Sequence, residues 1–229
     1  MNMKTKIYNT LTKPYIVVLV MLSAPLLNFF DRNFSFFFGL TIVGLIAWSS
    51  NYNWSLFSLT KKLTKKTIVK AFLLALLILI AYTPISIMID KYFGGADISS
   101  LEDIKHNTIG FIIMLIIVWT LVAFGEEILF RGYYLKWIAE LFGDSKKSWM
   151  ISAIVSAIYF GASHYYQGIS GILGIIPFAF IYSLIYLKNK DNLWLLICMH
   201  GFHDTIGLTF LYLDIENPIT KLFEQLILS

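Results

Sequence analysis

Glu126, Glu127 and Arg131 stand in the stretch AFGEEILFRGY (123–133), directly after the chargeless run 109–125. Two further clusters sit in equally apolar surroundings. Residues 148–187 contain no Asp, Glu, Lys or Arg, and His164 is the strongly polar group among them. The run LWLLICMHGFHDTIGLTFLYL (193–213) carries His200, His203 and Asp204. An ionisable group inside a membrane costs about 2.5–3.5 kcal/mol on insertion scales, so its default reading is functional.

Spacing divides the labour. Residues four apart share a helical face, so Glu127 and Arg131 are expected to pair as a structural ion pair. Glu126, one residue earlier, points about 100° away and is assigned to chemistry. Phe160 and His164 are also four apart, as are His200 and Asp204. A carboxylate beside an imidazole raises its basicity and fixes its tautomer. His203 falls one helical position off the His200 face and is read as support. Singly, each cluster has a plainer reading: an interfacial ion pair, a hydrogen-bonded core histidine, an interhelical clamp. Together they bring carboxylates, imidazoles and a guanidinium from separate helices, which no one plain reading covers.

A glutamate base with histidines activates a water, with or without a divalent metal. The sequence has neither the HExxH helix of soluble zinc proteases nor a GxSxG nucleophile elbow. No second intramembrane Asp accompanies Asp204 to form an aspartyl dyad. Cys198, the single cysteine, excludes an internal disulfide and lies in an apolar run, where packing is its expected role.

The elements that must position these residues are helices in a bilayer. The chain is 58% apolar and 14% charged, where soluble domains carry about a quarter charged residues, and its mean hydropathy is +0.72. A spanning helix needs about 20 mostly apolar residues. Candidate spans are 14–30, 34–50, 68–89, 108–128, 149–166, 169–187 and 193–213, and 218–228 reads as an interfacial helix or a truncated eighth span. The expected fold is therefore all-α, a polytopic membrane bundle of about 7–8 transmembrane helices. No linker or repeat divides it, so residues 1–229 form one integral-membrane domain. The first span, preceded by Lys4, Lys6 and Lys13, reads as an uncleaved anchor. Placing the N-terminus in the cytoplasm puts those lysines, KKLTKK (61–66), Lys146, Lys147, Lys188 and Lys190 on one side. Asp31, the net acidic 90–105 loop, Asp214 and Glu216 fall on the other, as the Lys/Arg bias of short loops requires. The net charge of +4 gives no sign of nucleic-acid binding.

EEILFRG (126–132), FGASH (160–164) and HGFHD (200–204) resemble, in order and spacing, the motifs EExxxR, FxxxH and HxxxN/D. These belong to the CPBP (Abi) family of CAAX proteases and bacteriocin-processing or immunity proteins, which includes the Ras-converting type II CAAX prenyl endopeptidases. The resemblance covers about 108–213. It implies an intramembrane endopeptidase of a peptide or membrane-protein substrate, in the plasma membrane. Glu126 would be its general base and His164 would help hold the water. His200 and Asp204 would form the opposite wall, binding metal or stabilising the oxyanion. A divalent metal, zinc, would then draw on His164, His200 and Asp204. Asp204 stands where Asn is common, which suits a metal or a protonated histidine better than an oxyanion. Two other functions use the same residues: bacteriocin self-immunity without proteolysis, and a small ion- or proton-coupled transporter. A transporter would be expected to show internal repeats, and none is found.

Overall fold

The computed structural model describes residues 2–227. It is helical throughout, and among the described residues the only β-pairing is an isolated bridge between Leu59 and Asn192. The helices are α1 (Met3–Leu11), α2 (Pro14–Ser23), α3 (Phe34–Ser49), α4 (Lys65–Phe93), α5 (Thr108–Leu141), α6 (Lys146–Ser163), α7 (Gly168–Leu187), α8 (Leu193–Leu213) and α9 (Pro218–Ile227). Leu228, the last residue of the expected 218–228 segment, lies outside the described residues.

By length and composition, α4, α5 and the run Tyr165–Leu187 can each cross a membrane. The pair Met3–Leu11 and Pro14–Phe29, bent by 74°, makes a fourth if it is one span. The bend falls where Pro14 opens α2, its fixed φ suiting a first helical position. The expected seven or eight spans are thus not established on these grounds. α3 has only 16 residues. α6 begins on two lysines and carries four serines, and α8 carries His200, His203 and Asp204. Their own polar residues dilute the apolar signal.

The described residues group into two compact units. The first comprises 2–62, 125–160 and 179–193. Its interior is aromatic: Phe57, Tyr133, Tyr134, Trp137, Tyr182 and Tyr186 are all buried. Three of its hydroxyls find partners, which an apolar medium favours. Tyr133 donates to the Leu11 carbonyl at 3.0 Å, Ser156 donates to that of Phe130 at 3.3 Å, and Ser58 pairs with the Tyr186 hydroxyl at 2.7 Å.

The second unit comprises 63–124, 161–178 and 194–227. Thr64 caps α4 by accepting from the Thr67 amide at 3.1 Å, and Asn107 caps α5 by accepting from the Gly110 amide at 3.0 Å. Ile104, Val118 and Leu208 form its buried centre between α5 and α8. Phe111 stacks on Tyr212 at 4.6 Å. α9 lies against α4.

Candidate active site

The first motif sits on a helix that changes pitch around it. α5 is π-helical over Val118–Ala123, α-helical over Phe124–Glu127, and π-helical again over Ile128–Leu135. π-turns are uncommon and concentrate at functional sites. The single α-turn between them carries Glu126 and Glu127, a feature that hydrophobic periodicity does not reveal.

The two carboxylates meet different surroundings. Glu127 is fully buried (0% exposed) and Arg131 nearly so (2%). Arg131 Nη1 donates to Glu127 Oε1 at 3.0 Å, the pairing that the four-residue spacing calls for. The other arm, Nη2, donates to the Ala179 carbonyl at 3.1 Å. The guanidinium lies over the Phe160 ring at 5.0 Å and the Tyr182 ring at 5.7 Å. A buried ion pair holds only where geometry and further hydrogen bonds offset desolvation, and the fork and the two rings supply part of that here. Phe160 therefore acts as a platform for Arg131, which links the FxxxH motif to EExxxR. The sequence reading did not find Ala179 or Tyr182, because a carbonyl and a ring 48 and 51 residues downstream carry no local signal. Glu126 is half-buried.

The histidines belong to the second unit. His164 is half-buried and stands just past the end of α6, its amide bonded to the Gly161 carbonyl at 3.0 Å. Its Nδ1 is 3.4 Å from Ser163 Oγ, and its ring lies 5.9 Å from that of Tyr166. The helix end is held by Gly161: a Cβ there would lie 2.3 Å from Ile176 Cγ1 and 3.0 Å from the Ile172 carbonyl oxygen. α7 therefore approaches to backbone contact. His200 is buried (7% exposed), and its Nε2 is 3.4 Å from Asp204 Oδ2, so the two share the face expected of them. His203 turns to a different neighbour, the Phe178 ring at 4.6 Å.

A zinc ion of the expected type needs at least three donors at about 2.0–2.2 Å. Among the described residues no group of three or more His, Cys, Asp and Glu side chains is placed to hold a metal ion. His164, His200 and Asp204 do not form such a donor set here, and His200 and Asp204 are engaged with each other. No step is derived through a divalent metal.

Apolar helices of membrane-crossing length, with ionisable groups set into the hydrophobic runs, define an integral membrane protein. Residues 108–206 match the family model described as type II CAAX prenyl endopeptidase Rce1-like. That stretch holds all three motifs, and over it the sequence is similar to the CAAX protease family. Neither the curated proteins nor the solved structures contain a match to the chain.

Proposed function

We propose that this protein is an intramembrane endopeptidase of the CAAX-protease type, working through a glutamate-activated water. The observation that carries the assignment of roles is the contrast between adjacent carboxylates. Glu127 is sealed and bonded to Arg131, whereas Glu126 keeps partial exposure on the next face. Glu126 is the general base. It takes a proton from water as the oxygen attacks the scissile carbonyl, then returns that proton to the departing amine. His164 holds the water. His200, steadied by Asp204, stabilises the oxyanion, and His203 supports their helix. The substrate is a peptide segment that enters the bilayer. The protein lies in the plasma membrane with its N-terminus in the cytoplasm, on the strength of the lysine distribution.

The test is purified protein in detergent beside Glu126→Gln, His164→Ala and His200→Ala, assayed on a mixed peptide library with bound metal measured in the same samples. The expected result is cleavage by the wild type, at least a hundredfold less by Glu126→Gln, and turnover unchanged after chelation. Stoichiometric metal, lost together with activity in the histidine variants, overturns the metal-free mechanism. No cleavage by wild-type protein across the library overturns the endopeptidase assignment.

A further inference from the structure

Trp119 occupies the first π-helical segment of α5, and no motif includes it. Its indole lies flat against α8. A Cβ at Gly201 would sit 2.7–2.8 Å from three atoms of the ring, so only glycine admits it. Its Nε1 donates to Thr205 Oγ1 at 3.0 Å. Thr205 in turn donates its proton to the Gly201 carbonyl at 2.6 Å, which leaves the hydroxyl oxygen aimed at the indole as an acceptor. The Trp119 ring also meets Phe202 edge-on at 5.2 Å, and Phe202 meets Phe72 of α4 at 5.3 Å. These contacts fall on residues 201, 202 and 205, interleaved with His200 and Asp204. Positions 201 and 205 share one helical face, and 200 and 204 share the face about 100° away. Holding the first face fixes the direction of the second.

We propose that Trp119 is a positioning residue. By docking on Gly201 and hydrogen-bonding Thr205, it sets the rotation of α8 and so aims the His200–Asp204 pair. Its effect on turnover rests on the endopeptidase reading above, whereas its effect on His200 does not. An apolar clamp alone would need only the ring. The indole N–H and the oriented Thr205 hydroxyl add a directional bond, strong in a medium where an indole needs a partner.

The experiment uses full-length protein with 13C-labelled histidine, whose four rings are assigned through single His→Ala variants. Trp119→Phe keeps a ring and loses the donor. Thr205→Val keeps the shape and loses the acceptor, and Thr205→Ser keeps the hydroxyl. The expected result is that Trp119→Phe and Thr205→Val move the His200 ring signals. Thr205→Ser should leave all four in place. In the peptide assay, kcat should fall roughly tenfold in the first two variants with KM within about twofold, the size of one lost directional bond. Thr205→Ser should retain wild-type turnover. Unmoved His200 signals in both Trp119→Phe and Thr205→Val overturn the proposal, as does an equal shift in Thr205→Ser. If the His200 signals move as expected but the wild type cleaves nothing, the positioning role stands and the endopeptidase reading fails.

Discussion

Replacing Arg131 with methionine removes a charge from the buried interior of the first unit. The side chain is 2% exposed and its partner Glu127 is 0% exposed. Breaking one side of a buried pair costs about 3–5 kcal/mol, because the remaining charge is stranded. Methionine also forfeits the charged bond to the Ala179 carbonyl at 3.1 Å, of a kind worth about 1.5–3 kcal/mol. Stacking on Phe160 and Tyr182 survives in part, since a thioether also packs on rings. The expected loss is therefore at least about 3 kcal/mol, or a rise of more than a hundredfold in the unfolding constant. Arg131→Lys should not rescue it, because one ammonium cannot span Glu127 Oε1 and the Ala179 carbonyl as the two arms of the fork do. The double variant Glu127→Leu/Arg131→Met should be more stable than Arg131→Met alone, since no charge is left behind. The assay is dodecyl sulfate titration from mild detergent, followed by tryptophan fluorescence. Arg131→Met within about 1 kcal/mol of wild type, or a double variant less stable than the single, would refute a structural role for the pair.

Gly161→Ala should cost about 1–3 kcal/mol, because the new methyl overpacks against Ile176 and the backbone of Ile172. Maleimide labelling of Cys198, buried in the same unit, should then begin at a lower temperature than in wild type, and an unchanged onset contradicts the close approach of α7. The loop pair Lys61–Asp191, at 2.7 Å, makes a small pH-dependent contribution. The hydrogen bond from Lys61 holds the Asp191 carboxyl below its ordinary range. A depressed folded-state pKa stabilises above the unfolded value near 4 and fades as the pH falls through the lower folded value. Asp191→Asn should therefore lower stability slightly at pH 7, by less than about 1 kcal/mol for so exposed a pair, and the gap to wild type should narrow as the pH falls below about 4. A difference that grew on acidification would contradict this assignment.

The sequence alone determined the helical class, the limits of three helices and the local pairings, whereas the expected 68–89 and 108–128 appear as the longer Lys65–Phe93 and Thr108–Leu141. Apolar runs of bilayer length with charged ends admit little but helices, and the expected 34–50, 169–187 and 193–213 appear as Phe34–Ser49, Gly168–Leu187 and Leu193–Leu213. Glu127 with Arg131, and His200 with Asp204, were legible because four-residue spacing is a local property of a helix. The span count was not, because α3 has only 16 residues and the polar residues of α6 and α8 weaken their apolar signal. The tertiary structure decided what spacing cannot express. It placed the α-turn of Glu126 and Glu127 between two π segments, where hydrogen bonding departs from the regular pattern that periodicity assumes. It gave Arg131 its second acceptor at Ala179 and made Phe160 its platform. It set Trp119 on Gly201, a contact that exists only because one residue has no side chain and another, far off in sequence, has a flat one.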